Sequence, residues 1–494
     1  MLAVARKAGS SLMKSIFGNM NKLYFLFLFF AFSCTSENKQ AELEPYGAVP
    51  SERQLNWHDI EVYGLIHFTP TTFENKEWGF GDAAPSIFNP TDFDADQIVE
   101  AAKAGGLKAL ILVAKHHDGF CLWPTKTTEY NITKSPWRDG NGDLVKEMEQ
   151  ACRKAGLQFG VYCSPWDRNS EYYGTDKYLE IYREQLRELY TNYGDLFISW
   201  HDGANGGDGY YGGANEMRKI DNTTYYHWDE TWNNITRELQ PGANIFSDIG
   251  LDVRWVGGEH GYAAEIHWAT FTPEPNTGGK PVPGNVNTMV SSTGTRGGKY
   301  WMPAECDVPL RPGWFYHPEE DGKEKSAEDV FELYLKSVGR GAGLDLGLAP
   351  TTEGKLHEND VAILKKFGEM VKETFADNLA ADAQIGNGNA GSFLTDNDKT
   401  TYWTPGENEA VIDIELNEEK NIKYVQLREY IPLGQRLTNC KVEALINGEW
   451  SVLNEVKSIG ANRIMPVNET VSTKNVRISL TADAPIVLSE IGLF

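Results

Sequence analysis

The sequence predicts an α/β protein in which a (β/α)8-like TIM barrel, not necessarily a regular one, is followed by an antiparallel β-sandwich domain. Apolar runs of strand length alternate with amphipathic helical segments from about Glu61 to Thr374, which is the pattern of repeated βα units. Polar and aromatic residues follow several of those runs directly, at the strand ends where barrel enzymes carry their functional side chains. From about Phe375 onward, short alternating runs separated by turns replace the helices, as in a sandwich.

The composition limits the kind of partner. The chain has 494 residues, and its 70 acidic against 46 basic residues give a formal charge of −24. This balance argues against a nucleic acid partner, since binding nucleic acid requires a basic face. Aromatic residues make up 12% of the chain, and many of its 14 Trp lie near predicted strand ends. Such rings are either ordinary core residues or platforms for the apolar faces of sugar rings.

The first 35 residues are predicted to be an export signal of the lipoprotein type. Lys22 precedes the apolar run Leu23 to Phe32, which is too short to span a bilayer, and Cys34 follows that run closely. Met20 would begin a signal of ordinary length, so translation could start there. We therefore expect an exported bacterial protein, periplasmic or held at the outer membrane by a lipid on Cys34. Residues 36–50 are predicted to be a tether.

Residues 51–374 are predicted to form the barrel domain and residues 375–494 the sandwich domain. Alternating runs that would become sandwich strands lie at Val411 to Leu416, Tyr424 to Arg428 and Val476 to Leu480. The cysteines after Cys34 are odd in number and scattered, so they indicate neither a metal site nor a disulfide framework.

The first predicted βα units place histidines at strand ends. Strands are expected over Glu61 to Phe68, which contains His67, and over Leu107 to Val113, which His116 and His117 follow. His67 fits a core position and a ligand contact equally well. Side chains at adjacent strand positions diverge, and no carboxylate or Cys pattern completes a zinc site near the His116–His117 pair. Hydrogen bonding to a polar ligand is therefore favoured over a metal site.

The middle of the predicted barrel leads to an aspartate. Helices are expected from Ala95 to Ala104 (capped by Asp94), from Asp143 to Ala155, and from Tyr178 to Asn192, and strands over Leu157 to Cys163 and Leu196 to Trp200. Asp202 comes directly after the last of these strands and precedes Gly203. An Asp in this position either caps a turn or presents a functional carboxylate at the carboxyl end of the barrel. The stretch alone favours neither interpretation.

The remaining elements would close the barrel. Helices are expected over about Glu230 to Leu239, Ser326 to Val338 and Glu358 to Thr374, and strands over Asn244 to Ile249, Tyr300 to Ala304 and Leu344 to Leu348. Loops between these elements carry Trp78, Arg254 and Glu259, and Glu305 follows the strand at Ala304. No Gly-rich dinucleotide fingerprint follows the first strand, which argues against a Rossmann domain.

Two carboxylates on loops at one face of the barrel suggest glycoside hydrolysis. Asp202 and Glu259 could supply the nucleophile or base and the proton donor that this reaction requires. Burial against aromatic residues such as Trp255 would raise the pKa of the proton donor. Spacing alone does not fix the pair, because acidic loop residues are plentiful and Glu305 competes for the role of acid.

The motifs taken together resemble glycoside hydrolase family 29, the α-L-fucosidases, over roughly Trp57 to Glu373. Three motifs resemble the family as a whole: Gly64-Leu65-Ile66-His67-Phe68, Lys115-His116-His117-Asp118-Gly119-Phe120 and Trp200-His201-Asp202-Gly203. Two more resemble its α-1,3/1,4-selective branch: Arg254-Trp255-Val256-Gly257-Gly258-Glu259 and Arg311-Pro312-Gly313-Trp314-Phe315-Tyr316. Gly258 stands where that branch leads us to expect Asn.

The resemblance implies a retaining mechanism with Asp202 as nucleophile and Glu259 as acid/base, without a metal or cofactor. It implies that the fucose pocket is lined by His67, Trp78, His116, His117, Trp200, Arg254 and Trp314, with Glu305 as a further candidate. We expect the histidines and Trp200 on the pocket floor, Arg254 beside the nucleophile, and the two catalytic carboxyl groups about 5–5.5 Å apart. The substrate would be a fucosylated oligosaccharide or glycoconjugate.

The C-terminal region carries a second resemblance. The run Leu394 to Trp403 is similar to the early segment of discoidin-like sandwiches, which either bind galactose-type sugars or only brace a catalytic domain. Two alternatives to an exported α-L-fucosidase stay open at this point. One is a glycosidase of another α-linked sugar, and the other is a non-catalytic glycan-binding surface protein with a degenerate barrel.

Overall fold

A computed structural model describes residues 43–386 and 391–494. The predicted export signal, with Cys34, lies outside the described residues, as does the first part of the predicted tether. The described part of that tether lies against the sandwich, where the backbone N–H of Tyr46 donates to the carbonyl of Leu433 at 3.0 Å. Among the described residues, none of the helices has both the length and the apolar character that crossing a bilayer requires.

Eight parallel strands close into a barrel, which confirms the predicted fold class. Each strand pairs with its neighbour along the chain, and the last pairs with the first. The strands are β1 Val62–Ile66, β2 Ala109–Lys115, β3 Gln158–Cys163, β4 Ile198–Trp200, β5 Asn244–Ser247, β6 Val253–Trp255, β7 Ala304–Pro309 and β8 Gly343–Leu348. All carboxyl ends therefore meet at one face of the barrel.

The helices surround the barrel at positions close to those predicted. They are α1 Glu52–Ile60, α2 Ala95–Ala104, α3 Leu144–Ala155, α4 Asp176–Asn192, α5 Ala327–Lys336 and α6 Glu358–Thr374. Asp94 and Asp143 cap α2 and α3, each accepting a backbone N–H at 3.0 Å. The predicted helix around Glu230 is a composite of two short α-helical turns, Trp228–Thr231 and Arg237–Leu239, joined by a π-turn at Trp232–Thr236.

The barrel departs from a regular βα alternation at β5, β6 and β7. Only residues 248–252 connect β5 to β6, with no helix between these two parallel strands. Residues 256–303 connect β6 to β7 and contain a small two-stranded antiparallel sheet, Thr270–Phe271 with Tyr300–Trp301. The predicted strand at Tyr300 to Ala304 is therefore wrong, because the barrel strand begins where that run ends. The start of the apolar run belongs to this small sheet, and the barrel strand carries acidic residues.

The barrel interior is unusually aromatic and contains carboxyl groups. Inward-facing rings include Tyr63, Tyr162, Phe197, Trp200 and Phe246. Glu305, Asp307 and Asp345 are buried among the strands β7 and β8, where Asp307 and Asp345 stand opposite each other in the pairing register. Branched aliphatic residues usually fill such a barrel, so this interior has a polar component that needs its own explanation.

The C-terminal domain is an antiparallel sheet structure with its own apolar core. Its strands are β9 Gln384–Ile385, β10 Glu409–Glu429, β11 Leu437–Ile446, β12 Glu449–Val456, β13 Arg463–Ala482 and β14 Leu488–Leu493, paired in the order β9-β10-β13-β11-β12 with β14 on β10. Register shifts interrupt the long pair of β10 and β13, which is how such long strands bend around a core.

The sandwich holds one segment of the barrel domain directly. The hydroxyl of Ser458 accepts the backbone N–H of His267 at 3.0 Å, and the side-chain oxygen of Gln435 accepts that of Ala269 at 2.8 Å. Arg463 donates to the carbonyl of Glu265 at 2.8 Å and also pairs with its carboxylate. These contacts, which we call the sandwich brace, fix the middle of the connection between β6 and β7.

Candidate active site

The carboxyl ends of four barrel strands bring the predicted residues together. His67 follows β1, His116 and His117 follow β2, Asp202 follows β4 and Glu259 follows β6. Trp200 and Asp202 lie on the same side of the chain, because they are two residues apart at a strand end. His201, between them, faces the opposite side and is fully buried, with Tyr182 and Ser199 as hydrogen-bond partners at 3.0 Å.

Asp202 is held by hydrogen-bond donors on both carboxylate oxygens. The hydroxyl of Tyr162 donates to Oδ2 at 2.8 Å, and the backbone N–H of Ala204 donates to Oδ1 at 2.6 Å. Nε2 of His117 lies 3.7 Å from Oδ2. The side chain keeps 23% of its surface exposed, so it is fixed in orientation and still open to the pocket. This is what a nucleophilic carboxylate needs.

The three predicted histidines are buried and neutral at physiological pH. Burial lowers the pKa of His67 to about 3 and that of His117 to about 4, and it lowers the pKa of His116 well below its usual value. Nδ1 of His116 has no hydrogen-bond partner within the described residues, so it is free to bond a ligand. The rings of His116 and His117 lie 4.1 Å apart. The expectation that these side chains diverge is wrong, because β2 ends at Lys115, before both residues.

The hydrogen bonds of His117 assign its tautomer. The hydroxyl of Ser164 donates to the carbonyl of Trp166 at 2.8 Å, so it accepts from Nδ1 of His117 at 2.7 Å. With the proton on Nδ1, the Nε2 atom is an acceptor that faces the pocket beside Asp202. It can therefore accept a hydrogen bond from a sugar hydroxyl.

Glu259 lies on an exposed loop and contacts Trp314. Nε1 of Trp314 donates to Oε2 of Glu259 at 3.2 Å. Partial burial raises the pKa of Glu259, and the charges of Asp202 and Glu77 raise it further, against the lowering effect of the Trp314 hydrogen bond. A raised pKa suits a proton donor. Gly258 precedes it, and a Cβ there would come within 3.0 Å of the ring of the exposed His260.

Trp314 forms one wall of the pocket and is held there by Glu77, a residue that sequence reasoning missed. Its ring lies 5.2 Å from that of His67. The carboxylate of Glu77 accepts the backbone N–H groups of Trp314 and Phe315 and lies 3.1 Å from Nε2 of His317. Glu77 therefore holds the Trp314 loop against the pocket. Its sequence neighbour Trp78 gave the only signal, since both lie on the loop that follows β1.

Trp78 and Trp200 occupy opposite extremes of exposure. Trp78 is 51% exposed at the rim, with its ring 5.2 Å from that of His117 and 5.6 Å from that of Trp166. Trp200 is nearly buried, and its ring lies 4.9 Å from that of Tyr162. The two tryptophans therefore differ in role: one offers an open ring face, and the other supports the floor beneath Asp202.

Arg254 does not lie beside the nucleophile as predicted. It is fully buried, and its guanidinium donates to the carbonyls of Ser291, Trp268 and Met302, with Nε2 of His267 as a fourth partner at 3.1 Å. The reason is that Arg254 belongs to β6 and points toward the connection 256–303, which it pins. Arg254 therefore supports the loop that carries Glu259. The prediction that it lines the fucose pocket is wrong.

The prediction that Glu305 lies at the pocket is also wrong. It is the second residue of β7 and fully buried, so it lies inside the barrel rather than at a carboxyl end. Its carboxylate accepts Nε1 of Trp200 at 2.7 Å and the hydroxyl of Tyr63. Glu305 therefore cannot touch a substrate, and it does not compete with Glu259 as the acid.

Two further residues near the nucleophile escaped sequence reasoning. Tyr162 is the penultimate residue of β3, and every position of that strand after the first is buried, so inward and outward positions show no contrast in burial. Asp248 follows β5, and its carboxylate packs against Gly203. A Cβ on Gly203 would lie only 2.2 Å from Oδ2 of Asp248. Burial and the Asp202 charge raise the pKa of Asp248 to about 6, while the backbone N–H of Gly284 donates to it at 2.8 Å. Its only signal was a charged residue near the end of the run predicted as a strand over Asn244 to Ile249.

One set of side chains in the described residues has the spacing of a metal site, and it lies outside the pocket. Asp321, Glu324 and His357 could each offer a ligand atom. The guanidinium of Arg311 lies 2.9 Å from Asp321 and 3.1 Å from Glu324, so the local negative charge is already paired. The pocket itself presents two carboxylates, neutral histidines and aromatic rings, which together suit a neutral sugar.

Comparison with known proteins identifies the family. A family profile described as "Alpha-L-fucosidase" matches residues 44–374, and one described as "F5/8 type C domain" matches residues 378–490. The chain is 37% identical over 501 residues to "Alpha-L-fucosidase 1" of Arabidopsis thaliana, covering 96% of this chain and 94% of that one.

Solved structures agree with this result. A glycoside hydrolase 29 family member from an unknown rumen bacterium is 39% identical, with a TM-score of 0.82, over 91% of this chain and 78% of that one. A family 29 fucosidase of Ruminococcus gnavus, solved in complex with fucose, is 29% identical, with a TM-score of 0.79, over 92% and 96%. The chain is thus an enzyme of the α-L-fucosidase family, glycoside hydrolase family 29, with an F5/8 type C domain after its barrel.

Proposed function

We propose that this enzyme is an exported retaining α-L-fucosidase that releases terminal α-1,3/1,4-linked L-fucose from glycans. In this proposal Asp202 is the nucleophile and Glu259 the acid/base. The observation that carries it is the contrast between two carboxyl groups at one pocket. Donors fix the Asp202 carboxylate from both sides, while Glu259 has a raised pKa and a place on a more open loop.

The first half of the reaction would form a covalent intermediate. Asp202 attacks the anomeric carbon of fucose and forms a C–O bond, while the bond from that carbon to the leaving oxygen breaks. Glu259 gives its proton to the leaving oxygen, so the aglycone departs as a neutral alcohol. The hydroxyl of Tyr162 and the backbone N–H of Ala204 hold the nucleophile in line for this attack.

The second half would reverse the roles. Glu259, now a carboxylate, takes a proton from water, whose oxygen attacks the anomeric carbon and releases Asp202. Two inversions give net retention, and one water is consumed. This mechanism requires the two carboxyl groups to act at about 5–5.5 Å. The Gly-flanked position of Glu259 allows its loop to adjust when a substrate binds.

Fucose binding would rest on neutral hydrogen-bonding groups. The free Nδ1 of His116 and the acceptor Nε2 of His117 can bond sugar hydroxyls without an ionic charge to desolvate. The exposed ring of Trp78 can cover an apolar sugar face at the rim.

The linkage preference is supported by the space beyond Glu259. A cavity of about 460 Å³ is lined by Glu259, Trp314, His260 and His317, among others. It lies on the Trp314 side of the acid/base, where a leaving sugar would sit. This volume suits a bulky leaving group, such as the branched sugars that carry α-1,3/1,4-linked fucose.

A hydrolysis panel tests the activity and its linkage together. Branched oligosaccharides with α-1,3/1,4-linked fucose should be cut faster than linear α-1,2-fucosylated ones, and the first product should be the α-anomer of L-fucose. An aryl α-galactoside should not be turned over. An inverted product, or faster cleavage of the linear substrates, would overturn the retaining mechanism or the linkage preference respectively.

Export and anchoring are a separate part of the proposal. They rest on the basic residue Lys22, the apolar run 23–32 and the cysteine at position 34. Metabolic labelling with a fatty acid in a bacterial host should label the wild type but not Cys34→Ala. Equal labelling of the two proteins, or none of the wild type, would contradict the anchor.

A further inference from the structure

The barrel interior contains three carboxyl side chains that the proposed reaction does not use. Glu305 and Asp307 lie on β7, Asp345 lies on β8, and all are buried, with Glu305 and Asp345 at 0% exposure. Burying an unpaired carboxylate is costly, so each of these groups must be neutralised by a proton or by hydrogen-bond donors. Asp307 has such a donor, since Nε1 of Trp255 lies 2.7 Å from its Oδ1.

Glu305 has the partners of an ionised carboxylate. Nε1 of Trp200 donates to its Oε1 at 2.7 Å, and the hydroxyl of Tyr63 donates to its Oε2. The carboxyl group of Asp345, on the neighbouring strand β8, is close enough for the two groups to influence each other's pKa. Two ionised carboxylates only accept, so a hydrogen bond between them requires a proton on one of the pair.

The surroundings indicate that Asp345 holds this proton. Neither oxygen of Asp345 accepts a hydrogen bond from a donor within the described residues. As an ion it would therefore be buried without a donor, whereas as an acid it can itself donate to the carboxylate of Glu305. Burial, together with the charges of Glu305 and Asp307, raises the pKa of Asp345 well above its ordinary value. The titratable groups that face it are Tyr63 on β1 and Glu305 and Asp307 on β7.

Glu305 in turn reaches the nucleophile through two aromatic rings. It anchors the indole of Trp200, which is stacked on Phe246 with 4.2 Å between ring centroids. Trp200 also contacts the ring of Tyr162, with 4.9 Å between ring centroids. The hydroxyl of Tyr162 donates to Asp202 at 2.8 Å. A shift of Trp200 would therefore move Tyr162, and with it a donor to Asp202.

We propose that Asp345 stays protonated and donates to the carboxylate of Glu305, and that Glu305 so held is a positioning residue for Trp200 and for the nucleophile Asp202. The inference rests on the proposed role of Asp202. The acid pair lies below the pocket and touches no substrate. Its role is to give the floor of the pocket a fixed hydrogen-bond acceptor, which an apolar barrel interior could not provide.

Two substitutions at one position separate hydrogen bonding from mere packing. Asp345→Asn keeps a donor toward Glu305 without a titrating proton, whereas Asp345→Leu keeps a similar volume without any donor. We expect Asp345→Asn to retain kcat/KM for an aryl α-L-fucoside. Asp345→Leu should lose on the order of tenfold or more, since small misplacements of reacting groups are costly. Glu149→Gln, which alters a mostly buried carboxyl group paired with Arg153 on α3, is the matched control and should leave kcat/KM unchanged.

A spectroscopic readout tests the proton itself. The infrared difference between wild type and Asp345→Asn at neutral pH should contain the C=O stretch of a protonated carboxylic acid, which the variant lacks. This signal does not depend on Asp202, so failure of the acid pair can be told from failure of the catalytic assignment. Because it uses only the wild type and Asp345→Asn, it tests the proton on Asp345 even if Asp345→Leu does not fold.

Three results would overturn the proposal. The first is a difference spectrum with carboxylate bands in place of the acid band. The second is an equal loss of kcat/KM in Asp345→Asn and Asp345→Leu, which would mean that the donor does not matter. The third is wild-type kcat/KM in a folded Asp345→Leu.

Discussion

At the scale of single residues, the two catalytic carboxyl groups are separated by their surroundings. Asp202 accepts two hydrogen bonds and keeps limited exposure, while Glu259 has one aromatic donor and two nearby negative charges. The same chemical group is thereby suited to two tasks, as in other glycosidases that rely on paired carboxyl groups.

Asp202→Gly should abolish turnover, because it removes the atom that forms the covalent bond. We expect kcat to fall by a factor on the order of 10⁴ or more, with the unfolding midpoint near that of the wild type, since the side chain is not part of a core. Azide should restore release from an activated aryl fucoside by occupying the vacated space. Asp195→Gly, at an exposed position before β4, is the control and should leave kcat unchanged. Substantial unaided activity of Asp202→Gly would assign the nucleophile elsewhere.

Glu259→Ala should show a dependence on the leaving group. Substrates with poor leaving groups need protonation in the first step and should lose most of their kcat/KM. Activated aryl fucosides should lose less and accumulate the glycosyl-enzyme. The measurement is a series of aryl fucosides of graded acidity, compared between wild type and variant. A loss that is uniform across the series would remove Glu259 from the acid role.

The buried histidines make stability depend on pH. Burial lowers the folded-state pKa of His117 to about 4, whereas an unfolded His binds a proton near pH 6.5. Between these values the unfolded state binds more protons, so stability falls as pH decreases through this window. His117→Asn should reduce the slope of unfolding free energy against pH by up to about 1.4 kcal/mol per pH unit between pH 6 and pH 4.5. Urea unfolding at several pH values measures it, and unchanged slopes would contradict a neutral His117.

At the scale of elements, the connection 256–303 is long and yet fixed. Arg254 pins it from the barrel side through three carbonyls, and His267 joins the same network. A loop that carries an acid/base without a helix of its own needs such fixed points, because its backbone has few regular hydrogen bonds.

Arg254→Met should loosen this connection without removing a group that touches substrate. We expect lower kcat and faster amide hydrogen exchange confined to residues 256–303, since buried carbonyls lose their donors. Arg477→Met, which removes an exposed ion pair with Asp413 in the sandwich, is the matched control and should change neither. Unchanged exchange in 256–303 would show that other contacts hold the loop.

Sequence patterns located most helices and strands but failed for strands that carry charged residues at buried positions. The strands β1 to β5 and β8 are apolar runs bounded by helix stops, so their positions were predictable. β6 has three residues with a charged Arg254 in the middle, and β7 places Glu305 and Asp307 on its inward face. No rule that equates inward with apolar can find such strands.

The candidate site was predictable only in part for a related reason. Asp202, Glu259 and the three histidines stand in recognisable motifs next to strand ends. Arg254 and Glu305 stand in similar positions, yet their side chains point into the fold. Tyr162, Glu77 and Asp248 carry no motif, because their roles depend on contacts with residues far away in the chain.

At the scale of the whole molecule, the sandwich supports the catalytic domain by direct contact. Gln435, Ser458 and Arg463 bond the backbone of residues 265–269, and Arg428 pairs with Glu61 at 3.0 Å on the barrel. The expectation that such a sandwich braces the catalytic domain thus has a concrete structural basis.

Removal of residues 375–494 should therefore impair the barrel. We expect the truncated protein to lose activity and to unfold at lower temperature, because buried partners of the connection 256–303 are lost. The double variant Gln435→Ala with Ser458→Ala should show a milder form of the same defect. Calorimetry and aryl fucoside turnover measure both effects. A truncated protein as active and stable as the full chain would contradict the sandwich brace.

The sandwich brace also has a consequence for how such enzymes diversify. A domain joined only by a linker can be exchanged for another module by simple recombination. Here the sandwich domain supplies hydrogen bonds to a segment of the barrel domain that lies between β6 and β7. An exchange would leave that segment without partners unless residues 265–269 changed at the same time. We therefore expect sequence changes at Gln435 and Ser458 to be accompanied, among relatives, by changes in residues 265–269, so that the two domains are inherited as one unit.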